Sequence, residues 1–210
     1  MPLATPECRK EGPLETAFSG GIPPDLERST VDQARLGSQQ ALADLYDWYM
    51  PRVYRYVLAR VGSVHEAEDL TEEIFLKMLS GIGDFRWKAV PFSAWLFRIA
   101  HNEVVSHFRR RHNRNRQGPL FEGIVDDRQD LEAMTEHRLT VEDVTRAASS
   151  LPEAQREVIA LRFAVGLSIA ETALALGKRE GNIKALQHKA VARLQKLLGA
   201  RVEEGKRAAS

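Results

Sequence analysis

The feature that most limits what this chain can fold into is the period of its apolar residues. From Gln39 onward they recur every three to four positions, and alternating runs of period two are nearly absent. A period near 3.6 lines up side chains on one helical face, whereas a half-buried strand needs a period of two. The stripe Leu42, Leu45, Tyr46, Tyr49, Val53, Tyr56 and Val57 predicts a helix from about Gln39 to Arg60, which Pro51 should kink or split. Gly62 and Ser63 end that helix and cap the next, VHEAEDLTEEIFLKMLSGI, whose buried face is Ala67, Leu70, Ile74 and Met78. GIGDFRWKAVPFS, with Gly81, Gly83 and Pro91 as breakers, reads as a loop.

The stretch that follows, SAWLFRIAHNEVVSHFRRRHNRNR, is apolar in its first half and carries Arg109, Arg110, Arg111, Arg114 and Arg116 in its second. A second helical region starts near Val141. Pro152 suits a first helical position, and Gly166 closes that helix. SIAETALAL follows, capped by Ser168 and stopped by Gly177, and then a long helix from about Glu180 to Leu198. The expected fold class is all-α: two small helical domains joined by a flexible acidic linker, the C-terminal one containing a helix-turn-helix. The expected boundaries are a disordered tail over 1–25, a first domain over 26–116, a linker over 117–138, a second domain over 139–203 and a polar tail over 204–210.

The net charge of +1 conceals a segregation. Between Gln117 and His137 stand Glu122, Asp126, Asp127, Asp130, Glu132 and Glu136 against Arg128 alone, while the flanking stretches are net basic. That pattern points to a polyanionic partner for the outer parts. Cys8 is the only cysteine, so no disulfide framework can form and a reducing compartment is the simpler expectation. No apolar run is long enough to span a bilayer, and the N-terminus, with five of the nine prolines, lacks a signal peptide's apolar core. A cytoplasmic protein is expected.

Three stretches carry chemistry. In SIAETALALGKREGNIKALQHKA, Ala173, Gly177 and Ile183 supply a small crossing residue, a turn glycine and an aliphatic anchor, as a helix-turn-helix requires. Asn182, Lys184, His188 and Lys189 then face away from the core and could enter a major groove; a plain helical hairpin with a solvated basic face is the bland alternative. Arg98, His101, Asn102 and Arg109 share one arc of the preceding basic helix, a polar strip suited to phosphates and bases. Trp95 and Phe97 read as core, whereas Trp87, between Arg86 and Lys88, suits an unpaired base, because single strands favour aromatic platforms flanked by cations. In HEAEDLTEE, Glu66, Asp69 and Glu73 share a face near His65. No second ligand set converges on them, so a metal site is not expected, and a solvated acidic face or a dock for a basic protein remains.

Taken together, these segments resemble the extracytoplasmic function group of bacterial sigma factors, the promoter-recognition subunits of RNA polymerase, over about Val31 to Leu198. LYDWYMPRVYRYV, EAEDLTEEIFLKML and WLFRIAHNEVVSHFRRR are similar to sigma region 2; LPEAQREVIALRF with the helix-turn-helix is similar to region 4. The resemblance implies a non-enzymatic protein without cofactor or metal. It implies that Glu66, Asp69, Leu70, Glu73 and Phe75 dock on the clamp helices of the polymerase β′ subunit, with the β flap as a further polymerase contact. It implies that Arg86, Trp87, Lys88, Arg98, His101, Asn102, Arg109 and Arg110 open and read the −10 element, and that Arg179, Asn182, Lys184, Ala185, His188 and Lys189 read the −35 element. The acidic linker would thread toward the RNA exit path, and an anti-sigma protein silences many family members. Ser106 stands where an acid is common, Arg179 where a Ser or Thr cap is usual, and Leu186 where arginine is frequent. The rival reading is a free-standing helix-turn-helix regulator of duplex operators, which leaves the first module's acidic face and basic aromatic helix without a role.

Overall fold

The computed structural model describes residues 22–87, 90–117 and 141–208. Lys88, the acidic linker and most of the expected tail lie outside the described residues. Helix α1, Pro24–Arg35, opens with Pro24 at its first turn, holds Asp25 and Glu27 there, and ends on Arg35. Each choice suits the helix dipole and its orphan N–H groups. No helix was expected here, where the tail was to give way to the domain. Thr30, Val31 and Ala34 are its buried face, and Glu27 accepts a hydrogen bond from the Tyr49 hydroxyl.

Helix α2, Gln39–Val61, starts at Ser38, whose Oγ accepts the Ala41 N–H at 3.3 Å, and stops at Gly62, which takes φ 76°. That left-handed conformation is cheap only for glycine. Pro51 does not split the helix. It removes one N–H donor where Asp47 and Pro51 themselves face solvent, so water can serve the freed carbonyl. Helix α3, Val64–Gly81, is capped by Ser63 and runs into a 3₁₀ turn, Ile82–Asp84, within the expected loop. Gly81 meets a real constraint: a Cβ there would lie 3.3 Å from the Trp95 ring. Helix α4, Phe92–Gln117, buries Phe92, Leu96, Phe97, Ala100 and Val104 against α2 and α3.

The second module is α5, Val141–Ser149; α6, Glu153–Ile159, continuing as a π-helical turn over Ala160–Ala164; α7, Ile169–Leu176; and α8, Glu180–Ala208. Helix α8 runs ten residues past the expected Leu198, and Pro152 precedes α6 instead of opening it. Ser168 and Glu171 form a reciprocal capping box at the start of α7, and Gly177 ends it at φ 61°. Val158, Ala173 and Ile183 are the small core between α6, α7 and α8.

The two modules also pack on each other. Leu161, Val165, Leu167 and Ala175 join the same apolar cluster as Tyr49, Tyr56, Phe92 and Phe97. Polar groups line this junction as well. The fully buried Arg60 side chain donates to Glu153 and lies 3.0 Å from Glu157 Oε2. Glu157 also accepts from the Tyr56 hydroxyl and, at 3.0 Å, from His101 Nδ1. Ser93 bonds Glu171 at 2.5 Å, and Arg52 Nε donates to the Val165 carbonyl at 3.3 Å.

Candidate nucleic-acid and partner interface

The surface of α3 follows from its two stripes. Its apolar stripe turns Ala67, Leu70, Ile74, Phe75 and Met78 into the core, which leaves the acidic stripe outside. Leu70 and Phe75 are therefore only 2% and 4% exposed, and Phe75 packs against Tyr46 at 4.7 Å between ring centroids. Two of the five residues expected to dock are thus core residues that hold α3 in place. Leu76 and Leu79 are exposed instead, at 66% and 46%. Sequence reasoning passed over them, although their position off the buried stripe was visible.

Glu66, Asp69 and Glu73 line a groove whose other wall is α4, through His107, Arg110 and Asn113. Arg110 lies 3.4 Å from Glu73, Arg111 lies 3.3 Å from Glu66, and His65 lies 3.9 Å from Asp69. The two arginine pairs are partly exposed, and such pairs contribute about 0–1 kcal/mol, so a partner can displace them at little cost. Arg110, expected beside DNA, faces this acidic groove. Among the described residues, no group of three or more His, Cys, Asp or Glu side chains is arranged to hold a metal ion.

On α4, Arg98, Asn102 and Arg109 are exposed, and His101 is partly covered through its bond to Glu157. The loop before α4 is built on aromatic contacts. Phe85 is buried and meets Trp87, Phe92 and Trp95 at 5.0, 5.5 and 5.2 Å between centroids. Arg86 is exposed, its guanidinium donating to the Gly83 and Phe85 carbonyls at 2.9 Å. Trp87 is half-buried: its Nε1–H donates to Asp32 at 2.9 Å and the Arg28 guanidinium lies 5.4 Å from the ring centroid. That hydrogen bond, with Arg35 nearby, holds the Asp32 carboxyl below its ordinary range despite burial. The sequence could not announce this pairing across 55 residues.

On α8, Ile183 and Ala190 are fully buried and Leu186 packs against the small core. The same turns expose Arg179, Asn182, Lys184, Ala185, His188 and Lys189 together on the outer side. With no side-chain hydroxyl at Arg179, the helix start uses its carbonyl, which accepts from the Asn182 and Ile183 N–H groups at 2.9 and 3.2 Å. Arg162 braces the helix by donating to Gln187 at 2.9 Å and to the Leu167 carbonyl.

The first module thus carries a basic aromatic edge, and the second carries a helix-turn-helix whose last helix exposes a basic face. Residues 45–114 match the family model for Sigma-70 region 2, and residues 147–196 match that for Sigma-70, region 4. The chain is 41% identical over 173 residues to the ECF RNA polymerase sigma factor BldN of Streptomyces coelicolor, covering 80% of this chain and 64% of that one. It is 32% identical over 202 residues to the ECF RNA polymerase sigma factor SigD of Mycobacterium tuberculosis, covering 92% and 94%. Its fold is similar to that of the sigma factor RpoE of Bartonella quintana, solved in complex with the anti-sigma factor NepR, at 26% identity and a TM-score of 0.62 over 75% of this chain and 96% of that one. The chain belongs to the sigma-70 family. Within it, this is an extracytoplasmic function sigma factor, a subunit that binds core RNA polymerase and directs promoter recognition, and not an enzyme.

Proposed function

We propose that the two faces of the first module divide the work of initiation. The α3–α4 groove, with Glu66, Asp69 and Glu73 and the exposed Leu76 and Leu79, docks on the β′ clamp helices. Leu70 and Phe75 support it from beneath. The Arg86–Trp87 loop and the Arg98, His101, Asn102 and Arg109 strip of α4 hold the melted −10 strand, and the outer face of α8 reads the −35 duplex. The observation that carries this reading is the segregation of charge: carboxylates line one face of α3, while α4 and α8 expose cations elsewhere. Nucleic acid would be repelled by the first surface and drawn to the others.

Replacing Asp69 and Glu73 together by lysine tests the division. Both are exposed, so the helices should persist by circular dichroism while assembly with core polymerase is lost; assembly at the parent's affinity would refute the docking surface. An anti-sigma partner accords with the likeness to RpoE, which was solved with NepR. Among the described residues, no helix is long and apolar enough to cross a membrane. Co-purification from cells would identify such a partner as a stoichiometric polypeptide released when core polymerase is added in excess.

A further inference from the structure

We propose that α1 is a positioning element for the promoter, acting through Asp32 and Arg28 on Trp87; this rests on the reading of Trp87 as a platform for an unpaired base. Helix α1 precedes the residues matched to region 2, which begin at 45. It is nevertheless fixed to the core by Thr30, Val31 and Ala34 and by the Glu27–Tyr49 bond. From that anchored helix, Asp32 takes the indole N–H, Arg28 lies over the ring, and Arg35 holds Asp32 at 3.1 Å. Phe85 meets the ring edge-on at 5.0 Å. A tryptophan on a free loop would lose rotamer freedom when a base stacked on it, and this tie removes that freedom beforehand. Arg28 also brings a cation to the ring, completing the aromatic-plus-cation arrangement that single strands favour.

The test is promoter opening by holoenzyme, followed with a fluorescent base in the −10 element. Asp32 is nearly half exposed, so its replacement should fold and assemble with core normally. Asp32→Ala should slow opening roughly three- to tenfold, the fold-change of one lost hydrogen bond. Asp32→Asn, which keeps an acceptor oxygen, should recover most of the rate, and a template already melted at −10 should erase the difference. Asp32→Ala should add nothing in a Trp87→Ala background. If Trp87→Ala slows opening and Asp32→Ala does not, the positioning role is wrong while the platform stands. Normal opening by Trp87→Ala would overturn both. An undiminished Asp32→Ala effect without Trp87 would overturn the coupling.

Discussion

Glu157 ties three side chains of the first module together: a buried guanidinium, a phenol and an imidazole all meet its carboxylate. Burial alone would push that carboxyl up. The hydrogen bond from His101 and the charge of Arg60 outweigh it and hold the group below the usual carboxylate range. Tyr56, sealed beside it, is pushed well above the ordinary phenol range by burial and the same negative charge. The sign of the pH dependence follows. A carboxyl whose folded pKa lies below its unfolded value of about 4.3 adds stability above that pH and loses it as pH falls through the folded value. Thermal midpoints should therefore be level near neutrality on this group's account and fall in acid, with a shallower acid limb in Glu157→Gln; superimposable acid limbs would contradict the assignment. Glu157→Ala at neutral pH should cost about 3 kcal/mol in denaturant melts, because Arg60 would stay buried with only Glu153 as partner. A loss below about 0.5 kcal/mol would show that Arg60 escapes to water.

Among the elements, α7 and α8 are the most completely determined by local chemistry. Ser168→Ala should remove half of the capping box and cost about 1 kcal/mol of stability, measured by urea denaturation. On α8, Lys184→Ala should relax preference at one −35 position at a cost of about 1–3 kcal/mol, whereas Lys189→Ala should weaken binding to all sequences and lower the salt slope by about one. A randomised −35 selection separates the two, and an unchanged preference for Lys184→Ala would place the wrong side of α8 in the groove. These elements were legible in the sequence because caps, glycines and 3.6-residue stripes act within a turn or two of themselves. Ser63, Gly62, Ser168 and Gly177 each stand where that chemistry puts them. Helix α1 was missed because its buried face is short, Thr30, Val31 and Ala34, and proline-rich chain precedes it. The tie of Trp87 to Asp32, and the burial of Phe75 in place of Leu76, depend on how helices pack, which no local rule contains. Pro51 was expected to kink or split α2, and one lost hydrogen bond at a solvated flank is too small a penalty to divide a helix anchored by Leu45, Tyr49, Val53 and Tyr56.

At the scale of the whole molecule, an apolar core continuous across both modules sits beneath three separate surfaces: an acidic groove, a basic aromatic edge and a recognition helix. The charge segregation readable in the sequence survives as a segregation of faces, which accords with the proposed division between a polymerase contact and DNA contacts. A free-standing operator-binding protein would need the last surface alone. The measurement that separates these is transcription in vitro by core polymerase supplied with this chain on genomic DNA, with start sites mapped. Discrete starts preceded by a shared pair of −35 and −10 sequences, dependent on the chain and lost with the Asp69→Lys, Glu73→Lys double variant, are the expected result. A chain that binds duplex DNA tightly yet neither assembles with core polymerase nor directs any start would contradict the account.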